Sequence, residues 1–156
     1  MKINWKLLLI CLAIPLGVGV LAALLTGGSM DTFEILRKPP LSPPGWLFPV
    51  AWTLLYGAMG AASYLVLTSS APQRVISPAI RAYGGQLALN FLWPILFFRF
   101  EMYWIAFIWL CALWLLILIT MLRFFRISRS AGYLFLPYLA WVTFAGYLNF
   151  GIAWLN

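Results

Sequence analysis

Gln86, Asn90, Trp93 and Phe97 are spaced 4, 3 and 4 residues apart and so fall on one face of a helix. Two of them carry side-chain amides inside an apolar stretch, where an unpartnered polar group is costly, so this face must turn toward other helices and away from lipid. Pro94 follows directly; it has no N–H and releases the backbone carbonyl four residues earlier, that of Asn90. Asn90 fits a bond to a neighbouring helix as well as a bond to a ligand. Two further aromatic faces accompany this one. Trp52 and Tyr56 lie one helical turn apart, and Tyr138, Trp141, Ala145 and Leu148 repeat at helical spacing near the other end of the chain. Flat rings, indole N–H groups and a few amides in apolar surroundings perform recognition: they stack on, and hydrogen-bond to, a flat polarisable molecule.

The chemistry of bond breaking lacks its usual parts. The chain has no histidine, no carboxylate deep in an apolar run, no glycine-rich phosphate loop and no Cys-x-x-Cys pair. Hydrolysis, phosphoryl transfer and metal catalysis therefore lack their usual residues; no metal site is expected and no cofactor is required. Ion-coupled transport usually needs an ionisable group at mid-membrane, and none is present. What stands out is nine tryptophans and seven tyrosines. Some of these, such as Trp5 and Trp154, suit an interfacial belt, and Trp104 fits that role too.

The elements that position these faces are membrane helices. A chain that is 65% hydrophobic and 8% charged, with a mean hydropathy of +0.98, cannot cover a water-exposed surface with polar groups. The pattern predicts an all-α integral membrane protein, a five-transmembrane-helix bundle forming one domain over residues 1–156, with spans at about 5–26, 45–68, 79–98, 102–123 and 131–155. The first run also resembles a signal peptide, but its apolar stretch at 7–25 exceeds the roughly 7–15 residues usual there. Cys11 and Cys111 lie in apolar runs and read as neither disulfide nor ligand. A net charge of +7 brings nucleic acid to mind, yet the cations flank apolar runs and match lipid headgroups, so no nucleic acid partner is expected.

Five spans gather Lys2, Lys6, Arg74, Arg81, Arg123, Arg126 and Arg129 on one side and leave only Arg37, Lys38 and Arg99 on the other. The positive-inside rule then makes the amino terminus cytoplasmic and puts the first connection and the carboxyl terminus opposite. That connection, 27–44, is long for a helix bundle and reads as a lid. Pro39, Pro40, Pro43 and Pro44 stiffen it, and Arg37 and Lys38 at its rim fit either ligand carboxylates or headgroup phosphates. Gly57-x-x-x-Ala61 and Ala58-x-x-x-Ala62 allow a neighbouring helix to approach, and Gly84-x-x-x-Ala88 is the candidate dimer contact.

Three segments on three spans, KPPLSPPGWLFPVAWTLLYGAMGAASY, QLALNFLWPILFF and LPYLAWVTFAGYLN, occur in this order between residues 36 and 150. In combination they resemble the TspO/MBR family of translocator and tryptophan-rich sensory proteins. The resemblance implies a five-helix bundle, usually a homodimer, with a cavity beneath the first connection that takes porphyrins such as protoporphyrin IX, or sterol-like small molecules. Carried over by position, that cavity includes Trp52, Asn90, Trp93, Trp104, Trp141, Ala145 and Leu148. The chain departs from the family in having Thr32-Phe33 and Leu41 where aromatic residues are common, and in following Leu148 with Phe150 and no basic residue, which breaks the sterol-associated pattern. The resulting expectation is a membrane receptor that binds porphyrins and modulates tetrapyrrole handling or a stress response. The alternatives are light- and oxygen-dependent porphyrin degradation, for which no catalytic residue is evident, and transport of porphyrin or sterol-like ligands.

Overall fold

A computed structural model describes residues 2–156, and among them there is helix but no strand. Helix α1 (Trp5–Leu25) starts where the Asn4 side chain accepts the N–H of Leu7 at 3.1 Å, while the N–H of Asn4 donates to the Tyr64 hydroxyl at 3.0 Å. A short helix α2 (Ser29–Ile35) follows, then the extended proline segment, α3 (Leu47–Leu67) and α4 (Gln73–Pro94). A π-helical turn (Ile95–Arg99) leads to α5 (Tyr103–Ile127) and α6 (Arg129–Leu155). The five long helices form a closed ring in the order α1, α3, α6, α5, α4, with α4 returning to α1. Its centre is filled by residues such as Met59, Leu113, Phe124, Phe135 and Tyr138, while leucines and isoleucines such as Leu54 and Ile108 cover the outside.

A core and an exterior that are both apolar set the bundle apart from a water-soluble one, whose surface is polar, and such an exterior is what a lipid solvent requires. Helices α1, α3, α5 and α6 are each long and apolar enough to cross a membrane by length and composition. Helix α4 is 22 residues long, sufficient for a span of about 30 Å. It is less apolar because it carries Gln86 and Asn90, which are buried in the bundle, and Arg74 and Arg81 in its first half. The chain is thus an all-α, multi-pass integral membrane protein.

The structure moves several expected boundaries. Helix α4 begins at Gln73, six residues ahead of the expected 79, and takes in Pro78, whose missing N–H releases only the carbonyl of Arg74 at an exposed helix end. Helix α5 runs on to Ile127, so Arg123 and Arg126 lie within it, and the single residue Ser128 turns the chain. The Ser128 hydroxyl oxygen then caps α6 by accepting the N–H of Ala131 at 3.3 Å. The close approach to α3 occurs at Gly60, where a Cβ would sit 2.6 Å from the Cys11 carbonyl oxygen on α1; at Gly57 nothing lies within 4 Å.

Candidate functional site

At the bundle centre four side chains form one hydrogen-bonded chain. The Tyr56 hydroxyl donates to Asn90 Oδ1 at 2.7 Å, Asn90 Nδ2 donates to the Tyr138 oxygen at 2.6 Å, and the Tyr138 hydroxyl donates to Gln86 Oε1 at 2.7 Å. Gln86 Nε2 points at the sulfur of Met59, 3.7 Å away. All four polar residues are buried, and their hosts are α3, α4 and α6, so the chain stitches three helices together. The face read from the spacing of Gln86, Asn90, Trp93 and Phe97 is buried along its whole length. Asn90 uses both ends of its amide within the protein. The acceptor near the Pro94 kink that gains an outside donor is the carbonyl of Leu89, which receives the Trp109 indole N–H at 2.9 Å.

One turn further toward the lid, the Trp93 indole donates to Asn149 Oδ1 at 3.1 Å, and Asn149 Nδ2 donates to the Tyr103 carbonyl at 2.8 Å. Here the helices enclose an apolar chamber. Phe48 comes from α3, Trp93 and Phe97 from the end of α4 and its π turn, Ala145, Leu148, Asn149 and Ile152 from α6, and Phe33 from α2. The remaining void is about 10 Å³, the room of a single water. Phe33 is part of the wall that leaves so little room: only 2% exposed, its ring lies 5.2 Å from Phe48 and 6.2 Å from Phe98, both edge to face.

Of the seven residues expected to bind ligand, Trp93, Ala145 and Leu148 line this chamber. Trp52 stands beside it, stacked on Tyr56 at 5.5 Å and edge-on to Tyr138 at 6.1 Å, and Asn90 lies below in the hydrogen-bonded chain. Trp141 meets Phe48 edge-on at 5.9 Å, and its buried indole nitrogen has no hydrogen-bond partner. The structure does not bring Trp104 to the others: it is 47% exposed on the outer surface, against Phe150. Spacing arguments missed Phe33, Phe48, Phe98, Asn149 and Ile152 as lining residues. Asn149 and Ile152 could have been found, since they continue the buried face of Tyr138, Val142 and Ala145.

The lid is held by few bonds. The N–H of Arg37 donates to Asn156 Oδ1 at 3.1 Å, and Asn156 Nδ2 returns a bond to the Arg37 carbonyl at 2.8 Å. The Tyr147 hydroxyl donates to the Pro40 carbonyl at 2.7 Å. Lys38 turns back over the Phe33 ring, 4.6 Å from its centre, and lies 3.8 Å from Glu34 Oε2. The Arg37 residue is exposed at the rim. Pro39 is buried, while Pro40 and Pro44 are exposed and Pro43 is partly covered. A second concavity of about 420 Å³ lies between α5 and α6 but opens outward and is lined by residues such as Phe107, Leu115 and Gly146. No cluster of three metal-binding side chains exists among the described residues.

The TspO/MBR family profile matches residues 11–155 of the chain. The chain belongs to the TspO/MBR family. It is 37% identical over 150 residues to the tryptophan-rich protein TspO of Chlorobaculum tepidum, covering 96% of this chain and 95% of that one. Identity is also 37% over 156 residues to the tryptophan-rich sensory protein of Cereibacter sphaeroides, covering 100% and 95% of the two chains. With the translocator protein of Homo sapiens it is 34% over 141 residues, covering 89% and 83%. Within this TspO/MBR bundle, Tyr138 is the hub that holds the chamber walls. Tyr138→Phe leaves Gln86 Oε1 without its donor and Asn90 Nδ2 without its acceptor. It is expected to lower unfolding stability by about 1–3 kcal/mol in detergent. Thermal unfolding checks this, and a Tyr138→Phe midpoint equal to that of the unmodified protein contradicts the hub role.

Proposed function

We propose that the protein is a membrane receptor for porphyrins such as protoporphyrin IX, and for other flat apolar ligands, and that it binds them beneath the lid to modulate tetrapyrrole handling or a stress response. The observation that carries this reading is the chamber itself: aromatic, set among three helices, roofed by a separately held segment, and flanked by the buried Trp141 indole N–H that lacks an acceptor. An indole donor without a partner in a water-poor site is what a ligand carbonyl or ring nitrogen would satisfy. The exposed Arg37 at the rim suits a ligand carboxylate, and it suits a lipid phosphate equally well. The names of the relatives, a sensory protein and a translocator protein, agree with a ligand-handling role in a membrane. No cofactor is needed for binding of this kind.

In the same reading the receptor works as a homodimer, with its amino-terminal end cytoplasmic and its lid on the opposite side. Gly84 and Ala88 lie on the exposed face of α4, and nothing stands within 4 Å of a Cβ placed on Gly84, so a second helix has room to pack there. Titrating protoporphyrin IX into the detergent-solubilised protein should quench tryptophan fluorescence to saturation. Trp52→Phe combined with Trp141→Phe should weaken affinity by about tenfold, from the smaller ring area at both positions and the lost indole donor of Trp141. Unchanged affinity in the double variant removes the site. Gly84→Leu should yield monomers on chemical crosslinking; an undiminished dimer moves the interface elsewhere.

A further inference from the structure

Among the described side chains of helix α2, Phe33 is the one buried in the bundle. Phe33 is buried, whereas Asp31 and Glu34 are exposed and Ile35, two residues on, is 83% exposed. A helix of seven residues has little stability of its own in isolation. On its amino-terminal side Thr26, Gly27 and Gly28 separate it from α1, with Gly28 at φ 85° and nothing within 4 Å of a Cβ placed on it, while the Arg99 guanidinium donates to the last carbonyl of α1, that of Leu25, at 3.0 Å. On its other side the chain is extended and tied down at Arg37 by the Asn156 amide. The chamber under α2 retains about 10 Å³, so no flat ring system fits beside Phe33.

We infer that Phe33 is a built-in competitor of the ligand: it occupies the chamber in the unliganded protein, must leave when a ligand enters, and thereby sets both the affinity and the smallest ligand that can displace it. This rests on the binding reading above for its porphyrin arm. The physical basis is that one buried phenyl ring contributes less than a multi-ring ligand gains by covering Trp93, Leu148 and Phe48, so exchange favours the larger ring system and rejects small ones. A state in which the site is filled by its own lid lowers apparent affinity in proportion to the fraction of molecules left in the open, binding-competent state. The Asn156 clip biases the same equilibrium toward closure.

Two probes test this on the full-length protein in detergent. Phe33→Ala should bind protoporphyrin IX about tenfold or more tighter than the unmodified protein. It should also gain thermal stabilisation from iodobenzene, a single ring that fits the vacated space, whereas the unmodified protein gains none. Phe33→Leu, which keeps an apolar core contact, covers the case in which the alanine variant does not fold, and should shift both readouts in the same direction. Asn156→Ala, which leaves the chamber lining intact, should tighten porphyrin binding several-fold. Porphyrin affinity that is equal or weaker in the folded Phe33 variants overturns the competitor role while leaving the receptor reading in place. If porphyrin binds none of the proteins, the receptor reading falls. Iodobenzene then decides: stabilisation of the variants alone supports Phe33 as the occupant, and stabilisation of none or of all overturns it.

Discussion

The hydrogen-bonded chain through Tyr56, Asn90, Tyr138 and Gln86 is the interaction on which the rest of the molecule depends. In a bilayer there is little water to substitute for a lost partner, so each of these groups must find its complement in the protein or carry a penalty of a few kcal/mol. Burying them together restricts how α3, α4 and α6 are rotated about their axes, because a helix turned by one residue would point an amide at lipid. Packing among apolar side chains alone does not impose that restriction, since lipid tails are as apolar as leucine. The closeness of α1 to α3 at Gly60 and the single-residue turn at Ser128 then complete a ring whose geometry is already set at its centre.

The aromatic chamber inherits its shape from that rotation. Trp52 stacks on Tyr56, and Trp93 lies on the same face as Asn90, so holding the tyrosine and the amide in place also places the two indoles. Trp93 is further held by Asn149, whose Oδ1 accepts the indole N–H while its Nδ2 donates to the carbonyl of Tyr103 on α5. Rigid walls on three helices are thus roofed by a lid of a different character: one short helix, one inserted ring and a handful of exposed hydrogen bonds. That contrast between a satisfied polar centre and a lightly attached roof separates the part of the fold that specifies structure from the part free to move.

Much of this was legible in the amino-acid sequence. Spacing alone put Gln86, Asn90, Trp93 and Phe97 on one inward face, because an amide in an apolar run has few places to go. The membrane class and the order of the spans followed from hydropathy. Partner identities did not: nothing local to Tyr138 says that it bridges Asn90 and Gln86, which lie 48 and 52 residues away. The start of α4 was obscured by Pro72 and Pro78, which read as a loop but tolerate helix between them. Helix α2 was invisible because seven residues give periodicity too little length to act on, and so Phe33 read as one residue of a long connection when it is in fact buried. Trp104 carried the same residue type as Trp93 but the opposite orientation, which depends on the register of α5 against α6.

A structure of the protein with protoporphyrin IX bound tests the central claim most directly, that the closed chamber is the ligand site and Phe33 its occupant at rest. The account predicts tetrapyrrole density against Trp93, Ala145 and Leu148, with Phe33 withdrawn and the chain from Tyr56 through Asn90 and Tyr138 to Gln86 unchanged. Density in the outer groove between α5 and α6, with Phe33 still seated between Phe48 and Phe98, would contradict it.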